Sequence, residues 1–325
     1  MKLVALIETD GWMSRDLQAT AGDLGIGLQI ARWSNLCASV VQGMPEPPEP
    51  PEFPRVPGNS GAMDQDSDLS IRAGDVILSD ADAVLLRTMR GGTLEQIVFR
   101  LDVLHRLEAM GVAVLNPPRA IEIAVDKYLS TALLAKAGLP TPPTIVCQRP
   151  GDAMEAFTAL GEDVVVKPLF GSQGVGITRI TDRALAQRAF GQLHAMGSII
   201  YMQKFIEAAD GDLRLFVLGD RVLAAMHRRG DGDFRTNIAQ GAKARAIEPK
   251  AQWVDMALRA ARACRAAIAG VDILIDREDQ AFVLEVNAVP GWKHLAKVTG
   301  VNVTREILIY AGSQAQKRTA HAQSR

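Results

Sequence analysis

Val271-Asp-Ile-Leu-Ile-Asp276 and Ala281-Phe-Val-Leu-Glu-Val-Asn287 are two runs of β-branched and apolar residues flanking the polar Arg277-Glu-Asp-Gln280. The pattern predicts adjacent antiparallel strands. Side chains alternate along a strand, so Glu285 and Asn287 share a face while Asp272 enters from the partner strand. Two carboxylates and an amide oxygen suit a hard divalent cation, Mg2+ or Mn2+, which keeps its remaining positions for water and substrate phosphates. The hairpin thus predicts a metal site of Asp272, Glu285 and Asn287 beside a bound nucleotide. A buried strand with incidental polar residues is the alternative, and the rarity of fully buried, unpaired carboxylates weighs against it.

Working outward, Val164-Val-Val-Lys167 ends a strongly β-forming run in an ammonium, which is awkward there unless an anion meets it. The next stretch, Leu169-Phe-Gly171-Ser172-Gln173-Gly174-Val175-Gly176, can bring backbone N–H groups against phosphate oxygens. It reads equally as a plain glycine-rich turn, and it is not a Walker loop, because no Lys-Ser/Thr follows the last glycine. Ile199 to Ile206 reads as a strand opening into the polar Glu207 to Arg214, and 213–218 with 221–226 as a hairpin around Gly219-Asp220. Beyond it, Arg235 and Asn237 share a face if the segment is extended and can meet a common anion. Trp253 to Ala269 is an amphipathic helix leading into the metal hairpin, Val298 to Tyr310 a closing helix, and 313–325 a flexible polar tail.

Upstream, strands at 3–7, 27–33, 83–87 and 112–116 alternate with helices at 14–24 and 94–110, which predicts an open α/β sheet. Between them, 44–57 holds seven of the chain's 16 prolines. With 58–72 it reads as an extended, disordered surface insertion, or as a proline-rich ligand for another protein. No Gly-x-Gly-x-x-Gly follows the first strand, so a dinucleotide site is not supported. A helix from Asp126-Lys127 to Lys136 follows, then the rigid Pro140-Thr-Pro-Pro-Thr144. The expected division is an N-terminal α/β domain over 1–122, a central subdomain over 123–198 and a C-terminal subdomain over 199–312.

The 325 residues carry a formal net charge of -1 with 22% charged and 48% hydrophobic residues, which does not suggest nucleic acid as a main partner. No apolar run reaches membrane-helix length and the first residues meet Glu8 and Asp10 at once, so no membrane or export segment is expected. Cys37, Cys147 and Cys264 lie far apart, which excludes a disulfide framework and reads as three small core residues in a reducing cytoplasm.

Four motifs stand in order: Asp126-Lys127, Lys167 with its glycine loop, Gln203 to Arg214, and Asp272 with Glu285-Val-Asn287-x-x-Pro-Gly291. This order resembles the ATP-grasp superfamily over roughly 85–312, and more narrowly the RimK-like α-L-glutamate ligases, through Gln203-Lys-Phe-Ile-Glu and Gly232-Asp-Phe-Arg235-Thr-Asn237. Asn116-Pro-Pro-Arg-Ala, Asp126-Lys-Tyr and Glu285-Val-Asn-Ala-Val-Pro-Gly-Trp292 are similar to the branch associated with tetrahydromethanopterin.

The resemblance implies an ATP-grasp fold after a Rossmann-like domain and an ATP- and Mg2+-dependent carboxylate–amine ligase. It adds an amino acid, L-glutamate, to a small-molecule or protein-tail carboxylate, with a pterin cofactor as one candidate and a homo-oligomer as one candidate assembly. It places Lys127 and Lys167 on ATP phosphates, Gly171, Ser172, Gly174 and Gly176 over them, and Gln203, Lys204, Phe205 and Ile206 around the adenine. Asp212 falls near the nucleotide and Arg235 near the γ-phosphate; Asp272, Glu285 and Asn287 hold the metal. Arg228 is the further catalytic candidate, toward a tetrahedral intermediate or a substrate carboxylate. Where paired glycines often follow the Phe-Arg-x-Asn stretch, Gln240-Gly241-Ala242 keeps one, a departure on the acceptor side. A catalytically silent ATP-binding regulator or scaffold, and a ligase using another amino acid, are the alternative readings.

Overall fold

The computed structural model describes residues 1–40, 70–87, 89, 91–171, 175–230 and 243–323, with side chains to 318. Most of the expected insertion therefore lies outside the described residues, as do Ser172, Gly174, Arg235, Asn237 and the 240–242 stretch. Two compact units form, one of residues 1–115 with 308–325 and one of residues 116–307.

In the first unit, β1 (Lys2–Ile7), β2 (Gly27–Arg32), β6 (Ala83–Leu86) and β7 (Ala113–Leu115) make a parallel sheet of order β2-β1-β6-β7. Leu3, Val4, Ala5 and Leu6 are all fully buried, the continuous apolar reading expected of a strand covered on both faces. Helix α1 (Trp12–Asp23) connects β1 to β2, and α2 (Leu94–Ala109) connects β6 to β7. Thr93 starts α2 by accepting from Gln96 N–H on its Oγ1, while Gln96 Oε1 accepts from Thr93 N–H, a capping box. Order resumes earlier than the sequence reading had it: β3 (Leu36–Ala38), β4 (Ile71–Ala73) and β5 (Val76–Ile77) form a small antiparallel sheet. Cys37 lies on β3 and is exposed, so it is not a core residue; Cys147 and Cys264 are buried.

The second unit opens with α3 (Pro118–Val125) and α4 (Lys127–Lys136), the latter capped by Asp126, whose carboxylate accepts from Leu129 N–H. A four-stranded sheet follows, built from β8 (Thr144–Cys147), β9 (Val164–Lys167), β10 (Thr178–Ile180) and β11 (Ile200–Lys204) in the order β10-β9-β11-β8. One face packs Val164, Val166, Ile200 and Met202 against α5 (Pro150–Ala159) and α6 (Arg183–Ala195). There Phe157 and Phe190 meet edge-to-face at 6.3 Å, each burial being worth about 1.5–3 kcal/mol. The pairing registers put Lys167, Tyr201, Gln203 and Thr144 on the opposite face.

A five-stranded antiparallel sheet has the order β14-β13-β12-β15-β16, from β12 (Ala208–Leu218), β13 (Arg221–Arg229), β14 (Lys243–Ala246), β15 (Ile268–Asp276) and β16 (Ala281–Asn287). Helix α7 (Ala251–Ala263) lays Ala257, Ala260 and Ala261 against it. The expected helix to Ala269 is shorter because Arg265 turns to a φ of 56° and β15 begins at Ile268. The expected single closing helix is two, α8 (Lys293–Thr299) and α9 (Val303–Gln323), separated by Gly300 at a φ of 72°. Of the stretch read as a flexible tail, residues 313–323 are the end of α9, and Arg318 donates to Glu108 O and Val112 O.

Asn116 belongs with the second unit for a physical reason. Its buried amide donates to Ile268 O and Ala288 O, both at 2.6 Å, and accepts from Ile268 N–H at 2.8 Å. It therefore ties the start of β15 to the turn after β16, the two strands that carry the acidic residues.

Candidate active site

Three residues lie in a row across three strands: Arg214 on β12 faces Asp272 on β15, which faces Glu285 on β16. A bulge follows Asp272, shifting the register so that Ile273 pairs with Val283. Arg214 grips Asp272 through both nitrogens of its fork, Nε to Oδ1 and Nη2 to Oδ2, each at 2.5 Å. Its Nη2 lies 3.7 Å from Glu285 Oε1. In the neighbouring row, Arg228 on β13 faces Asp212 on β12 and donates to its two oxygens at 2.7 and 2.5 Å, reaching Asp272 Oδ2 at 2.9 Å as well. Charges of opposite sign thus alternate from Asp212 through Arg228, Asp272 and Arg214 to Glu285.

Burial favours the neutral form of Asp272, but the charges and hydrogen bonds of Arg214 and Arg228 outweigh it and hold the carboxyl well below the usual range. Burial likewise disfavours the charged form of Arg228, and Asp272 and Asp212 more than reverse it. Glu285 behaves oppositely. Desolvation by neighbouring groups and the Asp272 charge directly across raise its pKa, despite Arg214 and Lys167 pulling it down. Its side chain remains 49% exposed, open to a ligand. A half-open carboxylate raised by a like-charged neighbour is a position a divalent cation suits, so the donor set of Asp272 and Glu285 fits the metal that the sequence implies. Asn287 pairs with Gly270 one step along, and its Oδ1 accepts from Val289 N–H at 2.9 Å, fixing the turn.

The cationic side is built from α4 and β9. Lys167 donates to Gln203 Oε1 at 2.6 Å, and Gln203 Nε2 donates to Thr144 Oγ1 at 3.0 Å. Burial lowers Lys167 to about 8, with Lys127 adding to the effect and Glu285 and Asp272 opposing it. Lys127 is lowered by burial too, against the fields of Glu285 and Asp126. Its ammonium donates to the carbonyls of Gly171 at 2.9 Å and Leu169 at 3.4 Å. Gly171 has a φ of 142° and Gly176 of 77°, and a Cβ on Gly176 would lie 2.8 Å from Pro168 Cγ, so the loop ends demand glycine. Next to Thr144, a cavity of about 570 Å³ opens among Tyr128, Thr131, Val146 and Leu169.

Both lysines therefore lie within the electrostatic reach of Glu285, although they come from different elements. The linker after β11 is tied down: Lys204 N–H donates to Pro143 O at 2.8 Å and Phe205 N–H to Asp163 O at 2.9 Å, while Ile206 is half-buried. Arg179 stacks its guanidinium 3.6 Å from the Phe205 ring centre. Of the other expected site residues, Arg228 is paired with two of the protein's own carboxylates, Asp212 and Asp272, and Asp212 lies buried in its pair with Arg228. Arg214 was missed, because nothing in Asp212-Leu-Arg214 says which strand lies opposite; the alternation alone puts both charges on one face.

Residues 124–311 match the RimK-like ATP-grasp domain. The chain is 33% identical over 267 residues to a tetrahydromethanopterin:alpha-L-glutamate ligase of Methanosarcina acetivorans, covering 74% of this chain and 82% of that one. It is 41% identical over 210 residues to a probable alpha-L-glutamate ligase of Xanthomonas campestris pv. campestris, covering 63% and 72%. In fold it is similar to the ATP-grasp ligase PsnB, solved with a minimal precursor, Mg and ADP, at a TM-score of 0.71 and 20% identity over 96% of this chain and 97% of that one. With the domain matched over more than half its length and its acidic hairpin and lysines gathered in that domain, this chain belongs to the RimK-like ATP-grasp family of ATP-dependent ligases.

Proposed function

We propose that the protein joins L-glutamate to the carboxylate of a small molecule, a reduced pterin cofactor being the first candidate, in an ATP- and Mg2+-dependent, ADP-forming reaction. The observation that carries the reading is that one unit holds the facing carboxylates Asp272 and Glu285 together with Lys167, seated on Gln203, and Lys127, seated on the carbonyl of Gly171. The glutamate and pterin parts rest on the named activity of the Methanosarcina relative.

In this reading the acceptor carboxylate attacks the γ-phosphorus of ATP, giving an acyl phosphate and ADP. The glutamate amine then attacks the acyl carbon and phosphate leaves. The transferring group spreads negative charge over its oxygens, so catalysis consists of positioning and charge compensation. Lys167 is aimed by Gln203 and Thr144, and Lys127 brings the loop carbonyls of 169–171 with it. Asp272 and Glu285, with Asn287 beside them, are the residues that would hold magnesium, whose contribution is positive charge at the phosphates. Ser172, Gly174 and Arg235 keep the phosphate roles that the resemblance implies; Gln203, Lys204, Phe205 and Ile206 keep the adenine. Asp212 and Arg228 act from beneath, by holding Asp272 in place.

The test is direct incubation of the protein with Mg2+, ATP and each amino acid in turn, against a panel of carboxylate acceptors that includes pterins. Mass spectrometry should find a product heavier by one glutamyl unit, formed together with ADP. Products carrying a different amino acid would sink the glutamate assignment; ADP formed without any conjugate would sink the ligase reading.

A further inference from the structure

We propose that Arg214 is an internal counter-cation that competes with the divalent ion for Asp272, and so sets how tightly the metal is held. The inference rests on the metal reading above and goes beyond it by giving a role to a residue that coordinates nothing itself.

Both Asp272 oxygens are engaged by the Arg214 fork at 2.5 Å. A cation that draws on Asp272 must therefore share its oxygens with this fork and sit against its positive charge. Arg214 also leans toward Glu285, at 3.7 Å, so from β12 it reaches both carboxylates that face each other on β15 and β16. Like charges directly opposite on paired strands repel, and a positive group within reach of both relieves this. In the absence of metal, Arg214 supplies that group.

Two further contacts make the exchange workable. Asp272 has a second cation, Arg228 at 2.9 Å, and is not stripped of partners when Arg214 yields. Diagonally across from Arg214 on β15, residue 270 is glycine; a Cβ there would lie 3.4 Å from Arg214 Cδ and Nε and 3.1 Å from Pro290 Cβ. The stem of the arginine uses space that any larger residue would contest. Three carboxylates against two guanidiniums leave the row with one net negative charge, and removing Arg214 leaves two. A positioning residue of this kind weakens metal binding by its presence, whereas a plain structural support could only strengthen it.

The experiment titrates Mn2+ into the full chain with saturating ADP, reading free Mn2+ by electron paramagnetic resonance, for wild type, Glu285→Gln, Arg214→Gln and Arg214→Lys. Arg214→Gln should bind Mn2+ roughly tenfold more tightly than wild type, equivalent to about 1.4 kcal/mol. Arg214→Lys, which keeps the charge but not the fork, should fall between. The metal-free melting temperature of Arg214→Gln should drop and recover with Mn2+, while that of wild type moves less. Binding by Arg214→Gln that is equal to or weaker than wild type overturns the proposal; if that variant does not fold, Arg214→Lys is judged by the same criterion. Equal binding by wild type and Glu285→Gln is a separate result, which removes the metal site itself and the inference with it.

Discussion

Lys167 and Gln203 meet across the β9–β11 pair, the ammonium donating to Oε1 at 2.6 Å. The amide of Gln203 can turn only one way, since its Nε2 is held by Thr144. A buried ammonium that rests on a neutral acceptor and is lowered to about 8 is poised to meet an anion.

A first expectation follows for pH. Below about 8 Lys167 is charged and ADP affinity should be flat; above it, affinity should fall by up to about tenfold per pH unit. Stability should move the other way. The folded state loses this proton before the unfolded chain does, so stability rises as pH climbs from about 8 toward the ordinary lysine value of 10.5. Calorimetric ADP titrations and urea unfolding across this range check both, and Lys167→Arg should remove both trends.

Glu285→Gln should slow ADP formation by roughly a hundredfold or more, the cost of losing one preorganised charge contact. It should not destabilise the metal-free protein. Glu285 is raised by burial and by Asp272, so its anion is a liability whose removal leaves the melting temperature unchanged or up to about 3 °C higher. A thermal melt showing a clear loss of stability would contradict the charge pattern described for the row.

Arg228→Met should cost about 3–5 kcal/mol of stability, because the buried Asp212, at 4% side-chain exposure, loses the guanidinium that donates to both its oxygens. Adding Asp212→Leu should recover much of that loss, since replacing both partners by apolar groups leaves neither charge of the pair buried. A double-mutant cycle in urea measures the coupling. If the second substitution makes matters worse by its full individual cost, the pair is not the dominant interaction.

Gly211→Ala should be as damaging as a core truncation. Gly211 has a φ of 74°, and a Cβ there would lie 2.0 Å from Arg228 O. The chain must shift at the bulge between Ala208 and Asp212, which also carries the first residue of the charged rows. The expected loss exceeds about 2 kcal/mol. Urea denaturation of the variant beside wild type tests this.

Periodicity made much of this legible. The β-branched runs at 271–276 and 281–287 have one plausible conformation and alternate in one way, so the facing of Asp272 and Glu285 follows from local geometry. The same applies to Lys167, a charge at the end of an apolar strand, and to Asp126, a cap before a helix. What the pattern misjudged were stopping points: Arg265 at positive φ, Gly300 splitting the last helix, and α9 continuing to Gln323. Helix ends depend on caps and on tertiary contacts such as those of Arg318, which composition does not reveal.

The amino-acid sequence by itself determined that acidic strands, a strand-borne lysine and a glycine-rich loop occur in an order fit for nucleotide chemistry. Only the tertiary structure decided which charges neutralise which. Arg214 and Arg228 lie 58 and 44 residues from Asp272 in the chain, but β12, next to β15, and β13, one strand further, bring both onto it. Strand neighbours are set by sheet order, a long-range choice, whereas alternation along a strand is local; hence the facing of Asp272 and Glu285 could be read directly and their electrostatic partners could not.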